Sequence, residues 1–468
     1  MGWIPHKIIR VWFGGELMVL VADPSVIAQV NTLTLTKTDV YQYLGDPYLK
    51  KGIFVDKDIP HWKASKKVIT QVFVFKVLKQ YIKIFHEESI ILVNKLQELA
   101  YSGQPFYPPK YLELATFNSI MRTTLGVNPN HFQRKLFLPI LRNNFVYSLF
   151  GWRQDEERNM GIVLDLAHTV LEDLKTDMKN TTDIMRESRT SLAELLLQQP
   201  DISMKEVEAQ IVTVIGAGLD TSMIQNSMVL IMLATHPAVQ EKVFEEMVQV
   251  LGEDINVLPS YEDLMKLEYL ERVIKECLRM YPAAPFTGRK ITEDIKVTTE
   301  NGKEYIFPAG VAIGNLLYHV QKSPDYYENP RVFDPDRWLP ENSVNRNPHC
   351  YIPFTISGVA IGNLLYHVQK SPDYYENPRV FDPDRWLPEN SVNRNPHCYI
   401  PFSSGPRNCI GGKYAILQMK TIVSAILRKY KVLPSESCKT LRDVRVRMNL
   451  TMELKPQCQI TLRNRKSE

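Results

Sequence analysis

Phe402-Ser403-Ser404-Gly405-Pro406-Arg407-Asn408-Cys409-Ile410-Gly411-Gly412 is a turn-forming stretch with one cysteine, an arginine two residues before it and two glycines after it. The next segment, Lys413 to Tyr430, repeats apolar residues at helical spacing (Ala415, Ile416, Met419, Ile422, Val423, Ile426 and Leu427), which predicts a helix. Cys409 then sits at the mouth of that helix. There, free backbone N–H groups and the positive end of the helix dipole favour thiolate over thiol. Gly405 and Gly411 lack a Cβ and so let the backbone come close to a flat macrocyclic group.

A thiolate so placed is suited to be the axial ligand of a haem iron, because its electron push favours O–O cleavage. The pattern Phe402-x-x-Gly405-x-Arg407-x-Cys409-x-Gly411, with Ala415 four residues further on, resembles the haem-binding signature of the cytochrome P450 family. The resemblance implies haem b (iron protoporphyrin IX), with Cys409 on the iron and Phe402, Gly405, Arg407 and Gly411 helping to hold the group. Read without it, the stretch also suits a buried structural cysteine beside a loop-to-helix turn.

At 468 residues the chain can make about three ordinary domains or one large helical one. A composition of 44% hydrophobic and 23% charged residues is globular, with core enough to keep a cofactor from water. The net charge of +4 is no nucleic-acid signature but is compatible with a basic patch facing an acidic redox partner. The six cysteines (Cys277, Cys350, Cys398, Cys409, Cys438 and Cys458) show neither Cys-x-x-Cys pairs nor zinc spacing. They predict no disulfide framework and a reducing compartment. The ten histidines form no His-x-x-x-His pair and read as surface or capping residues. No run of 18 apolar residues occurs; the most apolar span, Ile211 to Ala234, is interrupted by Asp220, Gln225 and Asn226. The chain opens without a signal peptide.

Two strands around Gly14-Gly15 are expected over residues 7–22, followed by a short helix capped by Asp23-Pro24-Ser25. In the resembled family an anchor, a proline-rich hinge and a first helix precede this strand pair, so the start is expected to be a truncation. His61 to Lys66 opens a helix running towards Phe85, with Trp62 and Lys66 on one face. Alone this is an amphipathic helix with one buried tryptophan. The resemblance implies a Trp-x-x-x-Arg site at a haem propionate, with Lys66 keeping the charge and losing the arginine fork. Glu87 to Asp201 reads as several helices with a polar connection at Arg153–Asn159. The aromatic run Phe145, Tyr147, Leu149, Phe150 and Trp152 either packs the core or, by family, shapes a substrate pocket.

Met204 to His236 predicts a buried central helix whose middle reads Gly216-Ala217-Gly218-Leu219-Asp220-Thr221-Ser222. An acid and hydroxyls inside an apolar helix require satisfaction. A Thr221 bond back to the carbonyl of Ala217, with Gly218 beside it, favours a local bulge able to hold water. The stretch resembles the family's oxygen-handling motif, which implies that Thr221 orients the oxygen and its water while Asp220 relays protons. Ala217 stands where many family-4 members carry a haem-linked glutamate, so a covalent ester is not expected.

Tyr261 to Met280 predicts one helix, with Glu276 and Arg279 three apart on one face. The family reading is a buried pair completed by an arginine from a Phe-x-Pro-x-Arg segment, and Arg289 lies where members reach a haem propionate. That completing segment occurs twice. Gly310–Phe354 recurs without a change at Gly358–Phe402, a 45-residue block shifted by 48. The second copy runs directly into the Cys409 loop, so Arg385 is expected to join Glu276 and Arg279 while most of one copy is displaced. Val444 to Arg463 is expected to be a closing strand pair; Arg447 to Met452 reads as edge strand from the sequence alone and, by family position, as a segment that touches substrate.

The resemblance runs from Val11 onward, with the motifs in family order. It implies a mainly α fold with small β-sheets, a cytochrome P450 fold truncated at the N-terminus and spanning residues 1–468 as one domain with an internal duplication. It further implies a haem-thiolate monooxygenase like the insect branch of the family-4 clan, inserting one oxygen atom from O2 into a fatty acid, hormone or xenobiotic. An NADPH-dependent reductase and the cytosolic face of the endoplasmic reticulum membrane follow by family only. Two rivals stand beside it: a haem-thiolate isomerase or dehydratase, against which the Asp220-Thr221 relay weighs, and a non-catalytic product of the duplication.

Overall fold

Strands β1 (Ile8–Phe13) and β2 (Glu16–Val21) pair antiparallel with Phe13 opposite Glu16, so two residues reverse the chain, as the Gly14-Gly15 signal requires. The computed structural model describes residues 8–13, 16–39, 41, 49–126, 164–165, 167–176, 178, 191–285, 287–299, 301–315, 332–338, 402–403, 405–448 and 451–465. Helix α1 (Pro24–Leu33) follows, with the Asp23 carboxylate accepting from the Val26 N–H and proline in the first turn.

Helices α2 (Ile59–Ile69) and α3 (Phe75–Lys95) replace the single helix expected from His61 towards Phe85. The run Thr70-Gln71-Val72-Phe73-Val74 is rich in β-branched and aromatic residues, which lose side-chain freedom in a helix. It tightens to a 3-10 turn and then extends at Val74 (φ −74°, ψ 154°). Helix α4 (Pro108–Thr124) and the long α5 (Met204–Thr235) pack together, and α5 also touches α6 (Glu268–Met280). By length and composition α5 could cross a membrane, yet here it is the buried centre of the helical core.

The helix expected over Tyr261–Met280 is two pieces, Tyr261–Lys266 and α6, separated at Leu267. The break is held from outside: Glu246 accepts the N–H groups of Tyr269 and Leu270 at 2.6 and 2.9 Å, supplying the cap that the local sequence lacks.

Strands β3 (Thr287–Lys290) and β4 (Ala312–Asn315) complete a four-stranded sheet of order β1-β2-β4-β3, with β4 parallel to β2 and antiparallel to β3. Helix α7 (Gly412–Lys429), the helix expected after Cys409, packs on α3 and α5. The tail is not one closing pair. β6 (Val446–Met448) and β7 (Met452–Leu454) form a hairpin, while β8 (Ile460–Asn464) pairs with β5 (Tyr430–Pro434) at the end of α7. The fold is mainly helical with small separate sheets.

The repeat is placed by its first copy. Its strand β4 lies in the sheet, and its Val332–Trp338 segment packs on α6. Because Phe402 then leads into the Cys409 loop, the surplus 48 residues fall between Trp338 and Phe402, a connection of 63 residues where 15 would serve. Lengthening a loop about fourfold costs about 1 kcal/mol of closure entropy. The second copy also presents an identical competitor for the same docking place. Excising residues 355–402 is therefore expected to raise the melting temperature and the folded yield. An unchanged or lower melting temperature contradicts this.

Candidate active site

The Cys409 loop is closed by its own backbone. The Cys409 N–H donates to the Phe402 carbonyl at 2.8 Å, and the Asn408 N–H to that of Gly405 at 3.0 Å. Cys409 stands three residues before the first residue of α7, with Gly411 as the cap. Gly405 has φ +71°, and a Cβ there would lie 2.6 Å from the Asn31 carbonyl oxygen. The loop pressing on α1 therefore demands glycine here. Gly411 is open, its nearest neighbour an atom of Phe73 at 3.8 Å from a built Cβ.

Burial pushes the Cys409 thiol up to about 11, against the Gly411 N–H, the Lys66 charge and the Gly412 N–H. The expectation that the helix mouth alone favours thiolate is therefore corrected: desolvation outweighs it. Only a cation bonded to the sulfur would reverse that balance.

Trp62 and Lys66, brought in by α2, meet this loop. Lys66 donates from Nζ to the carbonyl of Pro406 and, at 3.0 Å, to Asn408 Oδ1. Its charge is spent fastening the loop. Arg407 lies 4.0 Å over the Trp62 ring and donates to the carbonyls of Leu35 (3.1 Å), Ile53 (3.4 Å) and Asp56 (2.7 Å).

Three buried cations converge beside it: Lys37, Arg289 and Arg407. Lys37 is held well below the usual lysine range by burial and then by the charges of Arg289 and Arg407. Among the described residues none of the three forms a salt bridge, and Arg289 Nε and Nη2 have no hydrogen-bond partner. Unpaired buried charge of this kind is costly unless a ligand neutralises it. Two carboxylates of a bound macrocycle fit the site. Among the described residues no group of three or more His, Cys, Asp or Glu side chains is placed to hold a metal ion. Lys37 was not singled out in the sequence, since a lone lysine in a polar stretch carries no spacing signal.

The middle of α5 supplies the second wall. Gly216 is exposed in the mostly buried middle of this helix, and a Cβ on it would meet nothing within 4 Å. Thr221 is buried and donates to the Ala217 carbonyl at 2.6 Å, the back-bond expected. The expected bulge is absent: the backbone stays α-helical from Met204 to Thr235, because the hydroxyl shares the carbonyl without displacing its helical bond. Asp220 accepts from the Thr451 hydroxyl at the tip of the β6–β7 hairpin. Burial raises its pKa above the usual carboxylate value, while the Thr451 bond opposes that rise. Thr451 lies within the Arg447–Met452 span, but its role as the holder of Asp220 had no sequence signal.

Glu276 and Arg279 form a fully buried bidentate pair, Nε to Oε2 at 2.8 Å and Nη2 to Oε1 at 2.7 Å. First-copy backbone completes it: the Asp334 N–H donates to Glu276 Oε1 at 2.9 Å, and Arg279 donates to the Val332 carbonyl at 3.0 Å. Arg385 lies outside the described residues, as do Phe145, Tyr147, Leu149, Phe150 and Trp152. His61 proves more than a capping residue. Its ring nitrogens contact Asp56 at 2.5 Å and Glu206 at 2.7 Å, tying α2 to the first turn of α5.

A family model described as Cytochrome P450 matches residues 5–356 and 357–458. The break between the matches falls between the two copies of the repeat. The chain is 27% identical over 463 residues to cytochrome P450 4d1 of Drosophila simulans, covering 91% of this chain and 80% of that protein. Cytochrome P450 4c3 of Drosophila melanogaster is 27% identical, covering 90% and 76%. Cytochrome P450 4c21 of Blattella germanica is 27% identical, covering 92% and 82%.

Arg289→Met removes a buried guanidinium with two unpartnered nitrogens. The haem-free variant is expected to gain about 1–3 kcal/mol of stability while retaining haem less well than the parent. A variant that melts lower and holds haem unchanged contradicts the anion-site reading.

Proposed function

The chain belongs to the cytochrome P450 family and is a cytochrome P450 monooxygenase, and from that premise we propose that it inserts one oxygen atom from O2 into a lipophilic substrate, namely a fatty acid, hormone or xenobiotic. Electrons come from an NADPH-dependent reductase, at the cytosolic face of the endoplasmic reticulum membrane. The observation that carries this reading is the Cys409 sulfur at the mouth of α7, in a loop whose Arg407 is buried together with Lys37 and Arg289, none of the three in a salt bridge among the described residues.

Residues 1–468 act as one haem domain carrying a duplicated block. Haem b, when bound, supplies the redox chemistry of oxygen activation. Cys409 would ligate its iron. Arg289, Lys37 and Arg407 would neutralise its carboxylates, with Trp62 stacked on Arg407 and Lys66 pinning the loop. Phe402 and Gly411 bound the loop, Gly405 lets it seat on α1, and Glu276 with Arg279 holds the α6 side. Haem is held without an ester, since Ala217 has no carboxylate to form one.

Asp220 is the proton carrier. A carboxyl kept above its usual range by burial holds a proton near neutral pH more readily than an exposed one, and can release it when charge develops nearby. Thr221 presents its oxygen at the same turn, and Thr451 fixes the Asp220 carboxyl.

With reductase, NADPH and a medium-chain fatty acid, Asp220→Asn is expected to slow substrate-dependent NADPH and O2 consumption about a hundredfold. Thr221→Ala is expected to divert consumed O2 to hydrogen peroxide, and Thr451→Val to give a smaller version of the Asp220→Asn loss. Product formed without O2 or NADPH consumption contradicts monooxygenation.

A further inference from the structure

His61 lies between two carboxylates from separate parts of the chain. Asp56, just before α2, meets Nδ1 at 2.5 Å, and Glu206, in the first turn of α5, meets Nε2 at 2.7 Å. A carboxylate oxygen can only accept, so each ring nitrogen that faces one must carry a proton. With both nitrogens so placed the ring is an imidazolium. Asp56 is 2% exposed, so its carboxylate relies on this cation and on the Asp58 N–H at 3.0 Å in place of water.

The residues on either side of this ring grip the Cys409 loop. The Asp56 carbonyl accepts from Arg407 Nη2 at 2.7 Å, a shorter bond than those to Leu35 and Ile53. Trp62, the next residue after His61, packs its ring 4.0 Å from the same guanidinium, and Lys66, one turn on, is fastened to Pro406 and Asn408. The other charges around the ring are engaged elsewhere. Asp58, the cap of α2, accepts the His61 N–H and faces Lys51 at 3.6 Å; Lys57 pairs with Asp39, and Glu208 with His168 at 2.6 Å. Glu194, on the Leu192–Leu197 helix that packs against α2, closes its own cap with Ser191, while Lys63 and Lys205 are exposed.

We propose that His61 is a positioning residue of the haem seat, whose charged ring holds the Asp56 carbonyl and the Trp62 ring against Arg407, so that neutralising it loosens the grip on the haem edge. This rests on the haem reading given above. Burial pushes the imidazole down, but the bonds to Asp56 and Glu206 outweigh it and hold the ring above the usual histidine range. A raised value means that the triad contributes fully below about pH 6.5 and that its contribution is lost as pH rises through the folded value. The neutral ring then turns a bare nitrogen towards a carboxylate, and α2 parts from α5 or from Asp56.

The test follows transfer of haem from the full haem-loaded chain to excess apomyoglobin, from about pH 6 to about pH 9. Transfer from the parent is expected to quicken severalfold across a titration step. Glu206→Gln keeps an acceptor oxygen and removes one charge, and is expected to move the midpoint of that step to lower pH. His61→Gln is expected to lose the step and transfer haem fast throughout. Lys37 also sheds its charge well below the usual lysine range, but a step due to Lys37 would ignore both substitutions. No step in the parent, an unmoved midpoint in Glu206→Gln, or a step that survives in His61→Gln would each overturn the proposal. Where His61→Gln does not fold, the Glu206→Gln midpoint decides. A chain that takes up no haem at any pH contradicts the haem reading and this proposal together, whereas haem that binds and leaves at one rate across the range contradicts this proposal alone.

Discussion

A cysteine at the mouth of α7, in a loop that Lys66 and Arg407 fasten to the rest of the chain, is the constraint around which this protein is arranged. Its sulfur is suited to a cation. Arg407 shares a buried space with Lys37 and Arg289, none of them in a salt bridge among the described residues, and that space is suited to anions. A group with a positive metal at its centre and two carboxylates at its edge satisfies both demands together. The interior has traded stability in the empty state for affinity.

The rest of the fold serves that exchange by fixing geometry. The buried Glu276–Arg279 pair accepts from and donates to backbone groups of the Val332–Trp338 segment and so holds that segment on α6. His61 ties α2, the bearer of Trp62 and Lys66, to the first turn of α5 through two carboxylates. The β6–β7 hairpin reaches back to Asp220, so the chain's last sheets touch the same helix as its central acid.

What the sequence disclosed was what local spacing encodes. The Cys409 loop, the span of α5, the Asp23 cap and the β1–β2 turn depend on neighbours a few residues away, and each emerged where its residues placed it. Features decided by distant contacts were hidden. The break at Leu267 depends on Glu246 from another helix, the reason for Gly405 is the Asn31 carbonyl, and the charge of Lys66 goes to Pro406 and Asn408. Desolvation at Cys409, which works against the helix mouth, is another such feature, since a helix mouth is visible in sequence and burial is not. The repeat was beyond sequence for another reason: two identical copies carry identical local information, and only the fold shows Val332–Trp338 seated on α6.

The most direct test is the absorption spectrum of the reduced, carbon monoxide-treated protein. The account predicts a strongly red-shifted Soret band that Cys409→Ser abolishes while the rest of the chain stays folded. An unshifted band in the parent chain, or a shifted one that survives the loss of Cys409, would contradict it.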